Sequence, residues 1–231
     1  MSETSKKVAT AARLASDRKR FLAELAGTFV VVVLATGSVV IDARLGGSTL
    51  GTPFAAICPA IAVALMVYAF GKISMAHFNP AVTLGFLITG HIVPRQFPVY
   101  FAAEIIGALL ASAFVAFAIG TEANLGANAP DYSFPLPLII AVEVLATALL
   151  MAIIYAVVYT KGLKGFSGVA IGGMVGLDIL FLSFVSGASM NPARSLAPAL
   201  LSGFVADLWL YWTATFAGAA MVAMIARKKF R

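Results

Sequence analysis

Two stretches decide the fold: HFNPAVT at His77–Thr83 and GASMNPARS at Gly187–Ser195, each built around the tripeptide Asn-Pro-Ala. Each follows the end of an apolar span. Asn is a good helix N-cap and Pro suits the first helical position, so each tripeptide predicts a helix start. The runs that follow, from Asn79 to about Gly90 and from Asn191 to about Gly203, cover about half a bilayer core at ~1.5 Å per residue. We therefore expect two half-length helices, neither of which crosses a membrane alone.

Composition places the chain in a membrane. It is 61% hydrophobic and 11% charged, with a mean hydropathy of +0.98, whereas a soluble domain is roughly 45–50% apolar and 25% charged. The net charge of +6 does not indicate a nucleic-acid partner, because the basic residues avoid the interiors of the apolar runs and gather at the termini and in loops. The lone Cys58 lies in an apolar run, where we expect it buried.

Six apolar segments are long enough to span a bilayer. Basic residues set the orientation: with both termini in the cytoplasm, the loops around Lys72, Arg95 and Lys161 also lie inside. Residues 1–20 are predicted to be a cytosolic basic tail and residues 227–231 a cytosolic basic end of a multi-pass protein of the plasma or inner membrane. The predicted spans are 21–41, 53–71, 97–119, 136–159, 167–185 and 207–226.

The two halves of the chain repeat. Glu24 stands four residues before Thr28 in the first span of one half, and Glu143 stands four residues before Thr147 in the first span of the other. Because each half has an odd number of spans, the second copy, 136–226, enters the membrane from the side opposite to the first, 21–119. We therefore predict an all-α membrane protein with an inverted three-helix repeat, whose two half-helices meet near the midplane, and a polar outer linker at about 120–135.

These motifs, in this order within a six-span chain with paired glutamates, resemble the aquaporin, or major intrinsic protein, family over about 21–226. The resemblance implies an hourglass fold of six spans and two half-helices, a pore in each protomer and a homotetramer in the lipid bilayer. It also implies a structural role for Glu24 and Glu143, as hydrogen-bond partners of the backbone before each motif. The pore motifs would be Asn79, Pro80, Ala81, Asn191, Pro192 and Ala193, and the approach loops that line the pore would include His77, Phe78, Gly187, Ser189 and Met190.

The family sets solute choice at a ring of four residues. Counting without gaps from each motif places this selectivity filter at Pro59, Ile179, Ala188 and Arg194. Water-selective relatives have a His where this chain has Ile179, and glycerol facilitators have bulky aromatic residues in the ring. A proline kink offers Ile57 or Cys58 as alternatives to Pro59. Glu104, where the family leads us to expect Gln, and Asp178 have no assigned role.

Within the family, the second motif and the Leu177-Asp178 pair look most like nodulin-like intrinsic proteins and their bacterial relatives. The resemblance implies a passive channel for water and small neutral solutes, with metalloid hydroxides such as arsenous acid favoured over glycerol. A glycerol or urea facilitator and a water-selective aquaporin remain alternatives.

Two further classes share parts of this pattern. An ion-coupled secondary transporter also has inverted repeats and broken helices, with Glu104 and Asp178 as the hints of a coupling site. A closed structural or junction protein would keep the fold without flux. No set of residues indicates an enzyme, a cofactor or a metal site.

Overall fold

The computed structural model describes residues 3–160 and 162–230, which form helices and connecting turns without a β-strand. Six helices in this described part are long and apolar enough to cross a membrane. They confirm the six predicted spans, although the first helix begins earlier than predicted, at Glu3. The helices are α1 (Glu3–Arg44), α2 (Gly51–Ser74), α3 (Pro80–Ile88), α4 (Phe97–Ala118), α5 (Glu122–Gly126), α6 (Leu136–Tyr159), α7 (Ser167–Ser186), α8 (Pro192–Ser202) and α9 (Leu208–Phe230).

The two short helices after the tripeptides are α3 and α8. Both have Pro at the first helical position, as the sequence predicts. Helix α3 ends at Ile88, and α8 ends at Ser202, where Gly203 closes it with a left-handed conformation. At ~1.5 Å per residue neither is long enough to span a bilayer.

The packing follows the inverted repeat. Helix α1 packs on α4 and α6 packs on α9, while α2 and α7 pack on each other across the two repeats. Glycines allow the first two pairs to approach closely: a Cβ on Gly107 would lie 2.5 Å from the Leu25 carbonyl oxygen, and one on Gly218 would lie 2.4 Å from that of Val144. Leu25 and Val144 each follow the glutamate of their repeat, so the same close crossing is built twice.

Each half-helix also packs on a span of the other repeat. Helix α3 lies against α9, and α8 lies against α4. The two half-helices contact one another as well. Their first turns therefore meet in the interior of the bundle.

Candidate functional site

The two asparagines of the tripeptides join the half-helices at their N-termini. Asn79 Oδ1 accepts a hydrogen bond from the Ala81 N–H at 2.9 Å, and Asn191 Oδ1 accepts one from the Ala193 N–H at 3.0 Å. Each side-chain nitrogen donates across the repeats: Asn79 Nδ2 to the Met190 carbonyl at 2.7 Å, and Asn191 Nδ2 to that of Phe78 at 2.8 Å. An amide nitrogen has two donors, so each Asn keeps one N–H for another partner.

The chain that leads into each half-helix is not helical. Ala76 and Phe78 before the first tripeptide have φ of 54° and 50°, and Ala188 and Met190 before the second have φ of 41° and 55°. Left-handed backbone at non-glycine residues is strained and persists only where its surroundings hold it. This conformation turns successive peptide groups away from helical bonding and requires other partners for them.

Two buried glutamates supply those partners. Glu24 accepts hydrogen bonds from the N–H groups of His77, at 3.0 Å, and Phe78, at 2.6 Å. Glu143 accepts from those of Ser189, at 3.2 Å, and Met190, at 2.7 Å. A serine hydroxyl at the end of α2 or α7 donates to the same carboxylate in each repeat.

A tyrosine completes each loop. The Tyr100 hydroxyl donates to the Ser74 carbonyl at 2.8 Å, and the Tyr211 hydroxyl donates to the Ser186 carbonyl at 2.7 Å. Both side chains are fully buried. The repeat therefore extends to the individual hydrogen bonds that hold the approach loops.

A narrow cavity of about 60 Å³ runs past the paired asparagines. It shares wall residues with a vestibule of about 380 Å³ on the Arg194 side and with another of about 460 Å³ on the His91 side. The two asparagines and the approach loops form part of the lining of the narrow cavity, and aliphatic side chains form much of the rest. The aliphatic residues include Val31, Val63, Val67, Leu150, Ile154 and Ile171.

The wall between the narrow cavity and the Arg194-side vestibule contains three of the four predicted filter residues: Ile179, Ala188 and Arg194. Ala35 of α1 belongs to the same wall and was not predicted, because nothing in an apolar helix distinguishes the one alanine that faces a cavity.

The fourth, Pro59, lines the narrow cavity from α2. The two alternatives to Pro59, Ile57 and Cys58, do not line that cavity, and the Ile57 side chain is 55% exposed. Cys58, expected to be buried, is only half-buried and is a free thiol.

Arg194 is held by the linker between the repeats. Its Nη1 donates to the Gly126 carbonyl at 3.0 Å and to Asn128 Oδ1 at 2.6 Å. The linker reaches this point through α5, in which Ala123, Asn124 and Leu125 all have left-handed φ. Sequence reasoning identified a polar linker but did not connect it with Arg194, because the contact joins residues 66 positions apart.

Contacts of its imidazole ring fix the position of His77. The imidazole stacks between Phe86 and Tyr100, with ring centroids 4.5 Å away on each side, and Nδ1 lies 2.9 Å from Thr83 Oγ1. Thr83 in turn donates to Glu104 Oε1 at 2.6 Å, so its hydroxyl links the His77 ring to the Glu104 side chain. His77 also contributes to the wall of the narrow cavity.

Glu104 breaks the symmetry of the repeats. It stands four residues after Tyr100, where the other repeat has Thr215 after Tyr211. Glu104 is fully buried, and within the described chain its Oε2 has no hydrogen-bond partner. The Oδ2 atom of Asp178 is likewise buried and has no hydrogen-bond partner among the described residues. Neither residue lines the narrow cavity.

The electrostatics of the passage favour neutral molecules. The α3 and α8 N-termini face each other, and each carries about +0.5 elementary charge. Of the described residues that line the narrow cavity, none is acidic and one, Arg194, carries a fixed charge. In the His91-side vestibule, burial lowers the pKa of His91 below its ordinary 6.5, which favours the neutral form of its imidazole.

Comparisons with known proteins agree with this geometry. The family model described as Major intrinsic protein matches residues 11–226. The chain is 38% identical to "Aquaporin NIP1-1" of Zea mays over 203 residues, which cover 87% of this chain and 71% of the relative. It is 40% identical to "Aquaporin NIP1-4" of Oryza sativa subsp. japonica over 201 residues, or 86% and 72% of the two chains. The resemblance to nodulin-like intrinsic proteins is thereby confirmed.

A solved structure shows the same fold. The aquaglyceroporin from Plasmodium falciparum superimposes with a TM-score of 0.78 at 24% identity, covering 92% of this chain and 96% of the other. At that identity the likeness concerns the fold alone.

Proposed function

The chain belongs to the major intrinsic protein family, whose members are membrane channels and not enzymes, and from this premise we propose that it is a passive channel for water and small neutral solutes, including metalloid hydroxides such as arsenous acid. The paired tripeptides form the narrow midpoint in this proposal. Pro59, Ile179, Ala188 and Arg194 form the filter, and Glu24 and Glu143 support the approach loops.

The observation that carries the choice of solute is the composition of the constriction. Four described residues line both the narrow cavity and the Arg194-side vestibule: Ala35, Ile179, Ala188 and Arg194. Three of them present small or aliphatic side chains beside the guanidinium, and none of the four is a histidine or an aromatic residue. A small polyhydroxylated solute needs a hydrogen-bond donor for its oxygens and room for its body. Arg194 supplies the donor, and the small Ala188 side chain leaves the room.

The helix N-termini and Arg194 also account for the proposed exclusion of cations. The helix N-termini and the Arg194 guanidinium all oppose a positive charge, and a neutral oxygen can accept from the amides of Asn79 and Asn191 as it passes.

We further propose that the protein forms a homotetramer in the plasma or inner membrane, with both termini in the cytoplasm. The basic residues of the cytoplasmic loops and tails support that orientation.

An ion-coupled transporter is the second candidate, because Glu104 and Asp178 each have a buried oxygen without a partner in the described chain. Intramembrane carboxylates mark proton relays in pumps and transporters. Coupling would let the protein accumulate solute against its own gradient when an ion gradient is present, which a passive channel cannot do.

Stopped-flow light scattering on proteoliposomes tests the proposal, using osmotic gradients of sucrose, glycerol and arsenous acid in turn. We expect water and arsenous acid to cross faster than in protein-free vesicles, with glycerol slower than arsenous acid. Rates of arsenous acid entry equal to those of protein-free vesicles, with water still fast, would remove metalloid hydroxides from the proposal.

A further inference from the structure

The linker between the two repeats is packed into the bundle. At Gly126, φ is +68°, and a Cβ there would lie 2.7 Å from the Thr36 carbonyl oxygen of α1. Thr36 directly follows Ala35, which lines the constriction. The linker is thus fixed against the same turn of α1 that forms part of the constriction wall.

From this position the Asn128 side chain contacts Arg194 at the start of α8 and the backbone carbonyl that precedes Ala188. Asn128 Oδ1 accepts from Arg194 Nη1 at 2.6 Å and from Ser195 Oγ at 2.9 Å. Its Nδ2 donates to the Gly187 carbonyl at 2.8 Å, on the peptide group that joins Gly187 to Ala188. Asn128 is 7% exposed, so most of its surface packs against the protein at the edge of the Arg194-side vestibule.

We propose that Asn128 is a positioning residue for the filter: it holds the Arg194 guanidinium against the linker and thereby sets which solutes pass. This inference rests on the proposed channel function. An asparagine suits the position because it accepts from the guanidinium with one atom and donates to the loop carbonyl with another.

The hydrogen bonds of Arg194 explain how Asn128 influences which solutes pass. Nη1 has two hydrogens, and the Gly126 carbonyl and Asn128 Oδ1 accept them. A guanidinium has five donors in a rigid plane, so this anchor leaves the donors on Nε and Nη2 for a passing solute. Without Asn128 the guanidinium keeps one neutral carbonyl partner, and its long side chain can swing into the opening.

The direct test is Asn128→Ala, compared with wild type by stopped-flow permeability to water and glycerol. A mobile guanidinium obstructs a larger solute more than water, so we expect the glycerol-to-water ratio to fall about threefold or more. Size-exclusion elution and thermal stability in detergent show whether the variant is folded. A folded Asn128→Ala protein with the wild-type ratio would overturn the inference.

A second pair of variants tests the same point if Asn128→Ala does not fold. Asn128→Asp places a carboxylate beside the guanidinium and offsets its charge, so we expect K⁺ and proton permeability to rise above wild type. Asn124→Asp is the matched control, because it makes the same change at an exposed position of the same linker. Equal cation permeability in the two variants would count against the placement of Asn128.

The outcomes separate the inference from the proposed function. If wild-type protein conducts neither water nor glycerol above protein-free vesicles, the channel proposal itself fails. If wild type conducts and the Asn128 variants behave like Asn124→Asp, the channel stands and the role of Asn128 does not.

Discussion

Single side chains determine the shape of the passage. Glu143 accepts hydrogen bonds from two backbone N–H groups and a serine hydroxyl, all in the interior. These buried donors depend on the carboxyl oxygens of Glu143 for their hydrogen bonds. Because the second approach loop has left-handed backbone, those N–H groups have no helical partner to return to.

Replacing Glu143 by Ala should therefore destabilise the fold. Each buried donor left without a partner costs about 1–3 kcal/mol, so we expect a lower unfolding midpoint in detergent together with loss of water flux. Glu122→Ala is the control, since Glu122 forms an exposed ion pair with Arg44 at 3.4 Å, a type of pair worth about 1 kcal/mol or less. A Glu143→Ala protein as stable as Glu122→Ala would refute the supporting role.

Ile179 carries the prediction on solute size. An imidazole at this position narrows the opening opposite Arg194 and adds a polar group, so Ile179→His should lower the arsenous acid to water permeability ratio by about tenfold or more. Ile179→Leu keeps the volume and should change the ratio little. An unchanged ratio in Ile179→His would place residue 179 outside the constriction.

At the scale of elements, the repeated crossings of α1 with α4 and of α6 with α9 keep the two repeats in register. Both crossings place a glycine against a backbone carbonyl, at Gly107 and at Gly218. Small residues at such crossings let helices pack closely in lipid, where no hydrophobic force drives association. The glutamates lie one residue before the contacted carbonyls, so a shift at the crossing would move the carboxylates away from the approach loops.

Gly107→Ala and Gly218→Ala should each lower thermal stability, because a Cβ placed about 2.5 Å from a carbonyl oxygen forces the helices apart. Overpacking of this kind costs roughly 1–3 kcal/mol. Gly173→Ala is the matched control within a span, since a Cβ there meets no atom within 4 Å and Ala is the better helix former. Equal unfolding midpoints for Gly107→Ala and Gly173→Ala would show that the crossing of α1 with α4 has room for an added methyl group.

For the molecule as a whole, the features predictable from the sequence were those that depend on residues close together in the chain. The spans follow from runs of apolar residues, and the half-helices follow from an N-cap with its proline, so Asn79 and Asn191 could be found by inspection. Arg194 belongs to the same local pattern. Ala35 and Asn128 could not be found this way, because their positions depend on how α1 and the linker pack against a loop far along the chain.

The proposed channel conducts neutral solutes passively and excludes cations. Both properties can be measured on proteoliposomes that carry an internal pH dye, first under an osmotic gradient and then under a proton gradient with the membrane potential clamped by valinomycin. We expect rapid water efflux compared with protein-free vesicles and a proton flux no faster than theirs, because the helix N-termini and Arg194 oppose positive charge along the passage. A proton flux that rises with the amount of reconstituted protein would show that the passage conducts cations.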